Sequence, residues 1–190
     1  ELANDLLHGT IDLMIDLLPF TAENVDTVPI CQEEILLVVP DEVLKKAHPD
    51  GWYELRKKME QGADVRLLEN CPFVLLNKGN RVRTIADEIF EDAQVTPHIV
   101  LETENIETAL ALSVKGMGIT FYPRMFMSPD HAANTNKNPL THQTGLNLYP
   151  LNYSRAHGTL GLGYHKGHYM SRATHEFIRI ALERIPYKND

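Results

Sequence analysis

Basic side chains are in short supply here. Of 190 residues, 18 are Lys or Arg against 26 Asp or Glu, a formal net charge of -8. A surface that reads duplex DNA needs a basic excess to displace phosphate counterions, so this chain does not read as a nucleic-acid contact surface. If the protein acts on DNA, another segment touches it. Cysteine is almost missing too. Cys31 and Cys71 are far apart, with no C-x-x-C pair. Such scattered thiols suit a reducing cytosol and read as inert groups near a core, with a redox switch as the lesser alternative. No stretch approaches the roughly 18 apolar residues of a membrane span, and no secretory leader is visible at Glu1. The motifs G-x-S-x-G, H-E-x-x-H and G-x-x-x-x-G-K-[ST] do not occur, so the sequence offers no recognisable catalytic constellation. There is no internal repeat either.

What is present is an ordinary globular balance: 43% hydrophobic and 23% charged residues, enough for one compact domain or two small lobes. The clearest block is 102–123. Ile106, Ala109, Leu110, Val114 and Met117 recur at helical spacing, with Thr103 or Asn105 as cap and Gly116 as the end. Gly118 then leads into a short buried strand over 119–122, stopped by Pro123. Upstream, a strand over 73–76 turns through 78–80 into a helix with Val82, Ile85, Ala86, Ile89, Phe90 and Ala93 on one face and Asn80 as N-cap. The start of the chain reads as a short helix over 1–8 with Leu2, Leu6 and Leu7 on one face, closed by Gly9. A strand over 11–15, buried on both faces, follows. Further strands are expected over 35–39, 97–102, 146–151 and 159–165. A last helix, capped by Ser171, has a face of Ala173, Phe177, Ile178, Ala181, Leu182 and Ile185. Residues 41–68 read as a polar, partly helical surface insertion, 124–127 as a short helix and 128–143 as a polar loop. Strands alternating with helices predict an α/β fold with mainly parallel sheets.

In such folds ligands collect where strands end and helices begin, because helix N-termini carry unpaired N–H groups and partial positive charge. Four segments qualify. In the first, Asn77, Lys78, Gly79, Asn80 and Arg81 combine a glycine that admits close backbone approach, a helix start and two cations. The second is Thr103, Glu104 and Asn105; the third is Ile119 and Thr120; the fourth is Asp16, Leu17 and Leu18. A plain reading competes with each: a solvated turn, or a cap serving only its own helix. His157, His165 and His168 do not make a metal set, since no cysteine or carboxylate completes them at standard spacing. Glu33 and Glu34 are adjacent in a strand-like run and so point to opposite faces, a poor acid/base pair.

The block at 102–123 also resembles the "a-l-V-a-x-G-x-G-I-t-x-x-P" signature of the effector-binding domain of LysR-type transcriptional regulators. Three further blocks follow the family's order: L-A-N-D-L-L-H-G-T-I-D-L-M-I at 2–15, E-E-I-L-L-V-V-P at 33–40 and L-G-L-G-Y-H-K-G-H-Y-M-S-R-A-T-H-E-F-I at 160–178. The resemblance implies a type 2 periplasmic-binding-protein-like fold of two α/β lobes. One lobe would take 1–31 with 162–190 and the other 38–156, with crossover strands near 32–37 and 157–161. It also implies an opening strand-helix-strand and a winged helix-turn-helix ahead of Glu1. Implied with these are no catalysis, no cofactor and a cytoplasmic location. The expected partners are a small-molecule effector, leaning to a small organic anion, touching all four candidate segments, and DNA through the winged helix alone. A homodimer or homotetramer with the 82–93 helix at or near the contact completes the expectation. A transporter's solute receptor shares this fold and stays open, as does an enzyme built on it.

Overall fold

A computed structural model describes residues 2–20, 22–127 and 145–185. The expected loop at 128–143 lies outside them. The chain divides into two compact units, 1–33 with 158–190 and 34–157. Among the described residues no helix is long and apolar enough to cross a membrane.

The first unit holds α1 (Leu2–Leu7), β1 (Met14–Leu17), the first half of β2 (Val25–Pro40), β7 (His157–His165) and α6 (Arg172–Arg184). β7 is the central strand between β1 and β2. β1 pairs with it antiparallel, Met14 opposite Gly163 and Leu17 opposite Leu160. The apolar core here is thin, made chiefly of Leu6, Met14, Ile30 and Leu162. Two expectations fail in this unit. The first strand starts three residues later than its apolar run suggests, and Ile15 is 46% exposed, so β1 buries one face only. The spacing of α6 and its Ser171 cap, whose Oγ accepts from the Thr174 N–H at 3.1 Å, are as expected. Yet Phe177, Leu182 and Ile185 stay largely exposed and only Thr174 is buried. Leu2 is likewise exposed. Periodicity reveals which residues share a face, not whether anything covers that face.

The second unit is built around the other half of β2. This strand pairs antiparallel with β5 (Thr120–Pro123) on one side and β6 (Leu146–Pro150) on the other. A parallel bridge between Phe73 and Ile119 sets β3 (Pro72–Leu76) beside β5. β4 (His98–Thr103) then pairs parallel with β3, giving the order β6-β2-β5-β3-β4. The expectation of mainly parallel sheets is therefore corrected: the sheet is mixed. β2 arrives from the first unit already running against β5, so the strands on both its sides are antiparallel to it.

Helices cover both faces. α4 (Arg81–Ala93) lies on one, where Phe90 meets Phe73 edge-to-face at 5.1 Å and Phe121 at 5.6 Å between ring centroids. α5 (Ile106–Val114) lies on the other, with Leu110 against Val38 and Tyr122, and Ala109 against Val74 and Leu76. Asn105, not Thr103, caps α5: its Oδ1 accepts from the Thr108 N–H at 2.9 Å. The helix stops before Met117, which is 44% exposed rather than part of the apolar face. Gly118 is required by packing, since a Cβ there would sit 2.8 Å from the Pro72 carbonyl oxygen.

Residues 41–68 are not a surface insertion. They form α2 (Asp41–Ala47), α3 (Trp52–Met59) and a 3-10 turn, Val65–Leu68. Val43, Leu44, Met59, Ala63, Val65 and Leu68 are all no more than 1% exposed. Each element is too short for its apolar residues to show a period. Burying six such side chains makes this stretch part of the core, at roughly 1.5–3 kcal/mol for each large one.

Candidate functional site

Strand register shows which candidate segments meet. In the second unit Leu76 lies opposite Thr103, so β3 and β4 finish together. The Asn77 N–H donates to the Thr103 carbonyl at 2.9 Å, which ties the two following loops at their roots. Ile35 is opposite Pro123 and Phe73 is level with Ile119, so β5 finishes at the same end, where β2 enters the unit. Asn77, Thr103, Pro123 and Ile35 thus mark one edge of the sheet. Glu34 and Arg124 sit beside it and are ion-paired.

Ile119 and Thr120 are not at this edge. They stand where β5 begins, not where it ends, Ile119 four residues or roughly 13 Å and Thr120 three residues or roughly 10 Å along the sheet from Asn77, and are 0% and 1% exposed. Asp16 and Leu17 are within β1, not beyond it, and with Leu18 they belong to the first unit. The Asp16 carboxylate accepts from the Leu17 N–H at 2.7 Å. The structure therefore brings the first two candidate segments together at the edge, while Thr120 of the third lines a small cavity with Leu76, Val82 and Arg83.

Within those two segments the asparagines serve their own helices. Asn80 Oδ1 accepts from the Val82 N–H at 2.9 Å and Asn105 Oδ1 from the Thr108 N–H. This is the plain capping role. Lys78, Gly79, Arg81 and Glu104 face solvent at the edge beside the two exposed asparagines. Gly79 takes a φ of +94°, and a Cβ added there would meet nothing within 4 Å, so there is open space beside the turn, whose ends are tied by the Asn77 N–H to the Thr103 carbonyl and the Asn80 N–H to the Asn77 carbonyl.

Under this edge lies a residue that the sequence reading passed over. Arg83 is only 4% exposed. Its guanidinium donates to the Leu76 carbonyl at 2.7 Å, to the Glu102 carboxylate, and through Nε to Asp87 at 2.8 Å. Burial works against the charge, but the hydrogen bonds to Glu102 and Asp87 outweigh it and hold the group's pKa above its ordinary value. Its signal is in the sequence: Arg83 stands three and seven residues before Ala86 and Phe90, on the buried stripe of α4.

The histidines do not converge. The rings of His165 and His168 stack at 3.6 Å with 13° between planes, so their in-plane lone pairs run side by side. Among the described residues no group of three His, Cys, Asp or Glu is placed to hold a metal. The thiols are quiet as well. Burial pushes Cys71 up to about 11, and burial with the nearby Glu33 raises Cys31.

With that geometry in view, the comparisons are informative. Residues 1–186 match the LysR substrate binding domain. The chain is 28% identical over 123 residues to the uncharacterized HTH-type transcriptional regulator YcgK of Bacillus subtilis (strain 168), covering 62% of this chain and 38% of that protein. It therefore spans well under half the length of this curated relative. Among solved structures it resembles the effector binding domain of QuiR in complex with shikimate, with a TM-score of 0.66, 19% identity, and 97% of this chain and 76% of that one covered. Full-length CbnR complexed with its target DNA gives a TM-score of 0.59 at 19% identity, covering 97% and 56%. At such identities these two likenesses speak for the fold, which is the type 2 periplasmic-binding-like fold of LysR effector-binding domains. By a match over almost its whole length, the chain belongs to the LysR substrate-binding domain family.

Proposed function

We propose that this chain is the ligand-sensing part of a LysR-type transcriptional regulator, and that its effector, a small organic anion, docks on the edge where β3, β4 and β5 end. The observation that carries the placement is the hydrogen bond joining Asn77 to Thr103, which sets two loop-to-helix entries side by side. Open space beside Gly79 at a helix start, with the exposed Lys78 and Arg81 nearby, suits a carboxylate. Effector binding would favour one of two conformations and so bias DNA-binding modules carried by another segment. QuiR's domain is complexed with shikimate and CbnR with DNA, which supports the same division of labour here. The protein would work in the cytoplasm, without catalysis, as a homodimer or homotetramer with α4 at or near the contact. A transporter's solute receptor gains no support from YcgK, QuiR or CbnR.

The test is calorimetry with a panel of small organic acids, shikimate included, on the wild type and on Lys78→Ala, Arg81→Ala and Gly79→Val. Loss of one charge-assisted contact should weaken a binding acid by about 1.5–3 kcal/mol, roughly ten- to hundredfold. An acid that binds all four proteins equally would move the site elsewhere.

A further inference from the structure

Both loops of the candidate edge are rooted in residues that Arg83 touches. Leu76, whose carbonyl accepts from Nη1, immediately precedes Asn77 and the turn to Asn80. Glu102, bound by the same nitrogen, immediately precedes Thr103 and the turn to Asn105. Asp87, bound by Nε at 2.8 Å, lies one turn further along α4 and fixes the guanidinium to its own helix. The group is 4% exposed, whereas the Glu102 and Asp87 side chains are each 46% exposed. A buried cation reaching three acceptors on three elements is a built feature, since removing any one acceptor leaves charge poorly compensated.

We infer that Arg83 is the positioning residue of the effector-binding edge, holding the 77–81 and 103–105 loops in one fixed relation so that they move together or not at all. The inference rests on the reading of that edge as the effector site. Arg83 is itself too enclosed to be the contact that an incoming ligand meets first. Its planar fork matters as much as its charge. A lysine can place a point charge among these acceptors but cannot span the carbonyl, Glu102 and Asp87 together.

The experiment is amide hydrogen exchange on the 190-residue chain as wild type, Arg83→Lys, Arg83→Met, Glu102→Ala and Glu102→Gln. In Arg83→Lys, exchange at the hydrogen-bonded amides of Asn77 and Asn80 in one loop and Asn105 in the other is expected to rise at least tenfold, with 73–75 and 119–121 unchanged. Glu102→Ala is expected to loosen 103–105 more than 77–80, and Glu102→Gln, which keeps an acceptor, to restore most of the protection. Exchange rising evenly across the second unit would make Arg83 an ordinary stability residue and overturn the inference, as would loops that stay protected in Arg83→Lys. If Arg83→Met fails to fold, the lysine and Glu102 variants still decide. No ligand enters the readout, so a negative result counts against the positioning role and leaves the effector edge to its own calorimetric test.

Discussion

At the scale of single residues, Asp64 shows how local pairing becomes pH dependence. Its carboxylate receives the Arg66 guanidinium, with Nη2 at 2.5 Å, and the Tyr153 hydroxyl at 2.8 Å. The hydrogen bond from Arg66 is the main reason its pKa falls to about 2. A carboxyl whose folded pKa lies below its unfolded value of about 3.9 adds stability above that value, and loses it as pH drops through the folded one. Between roughly pH 4 and 2 the wild type should therefore lose stability more steeply than Asp64→Asn. Urea midpoints measured across that window check this, and parallel curves would show that Asp64 contributes nothing. The thiols make a second case. Thiolate is the reactive form, and with Cys71 held near 11 it should be labelled by a disulfide reagent at pH 8 only after denaturation. Labelling of two thiols in the folded protein within minutes would revive a redox role.

Elements raise the question of what a capping residue is for. Replacing Asn80 with Ala should cost about 0.5–2 kcal/mol of stability through the lost bond to the Val82 N–H. Asn80→Ser should restore most of it, because a hydroxyl caps as well. Thermal unfolding of both variants decides, and equal losses would mean that Asn80 does more than cap. Gly118→Ala should cost about 1–3 kcal/mol by overpacking, since its Cβ would press on the Pro72 carbonyl that binds the Ile119 N–H at 2.8 Å. An unchanged midpoint would show that β3 and β5 can separate freely. These were the most legible parts of the chain. α4 and α5 carry a clear apolar stripe and an asparagine cap, and β3 is bounded by Pro72 and a glycine turn. The stretch 41–68 was illegible because its core residues are shared among three short elements. The first half of β2 was missed because it carries Pro29 and few buried side chains, Ile30 being the main one. In the candidate site, the ends of β3 and β4 could be read from strand-to-helix transitions. The meeting of Glu34 with Arg124 could not, since they are 90 residues apart in sequence and only register joins them.

For the whole molecule, stability should depend heavily on the second unit's aromatic cluster. Phe73 is fully buried between Phe90 and Phe121. Phe73→Ala should cost about 3–5 kcal/mol, a large share of the 5–15 kcal/mol typical of a domain. A loss under 1 kcal/mol in urea titration would mean that the site refills. The charge balance also makes an expectation: this 190-residue chain, at -8, should show no sequence-specific shift of duplex DNA. Tight, sequence-dependent retardation in a gel would contradict it. One consequence concerns how such a chain can change its length over time. β2 spends sixteen residues in two units at once, and its side chains alternate faces throughout. Deleting a single residue near Gln32 would either move Ile30 off the first unit's buried side or swap which of the buried side chains from Ile35 to Val39 face α4 and which face α5. Loops can drift by one or two residues, but this strand tolerates length changes only in pairs. It keeps two hydrophobic interiors on a single count, so any viable lengthening must happen elsewhere.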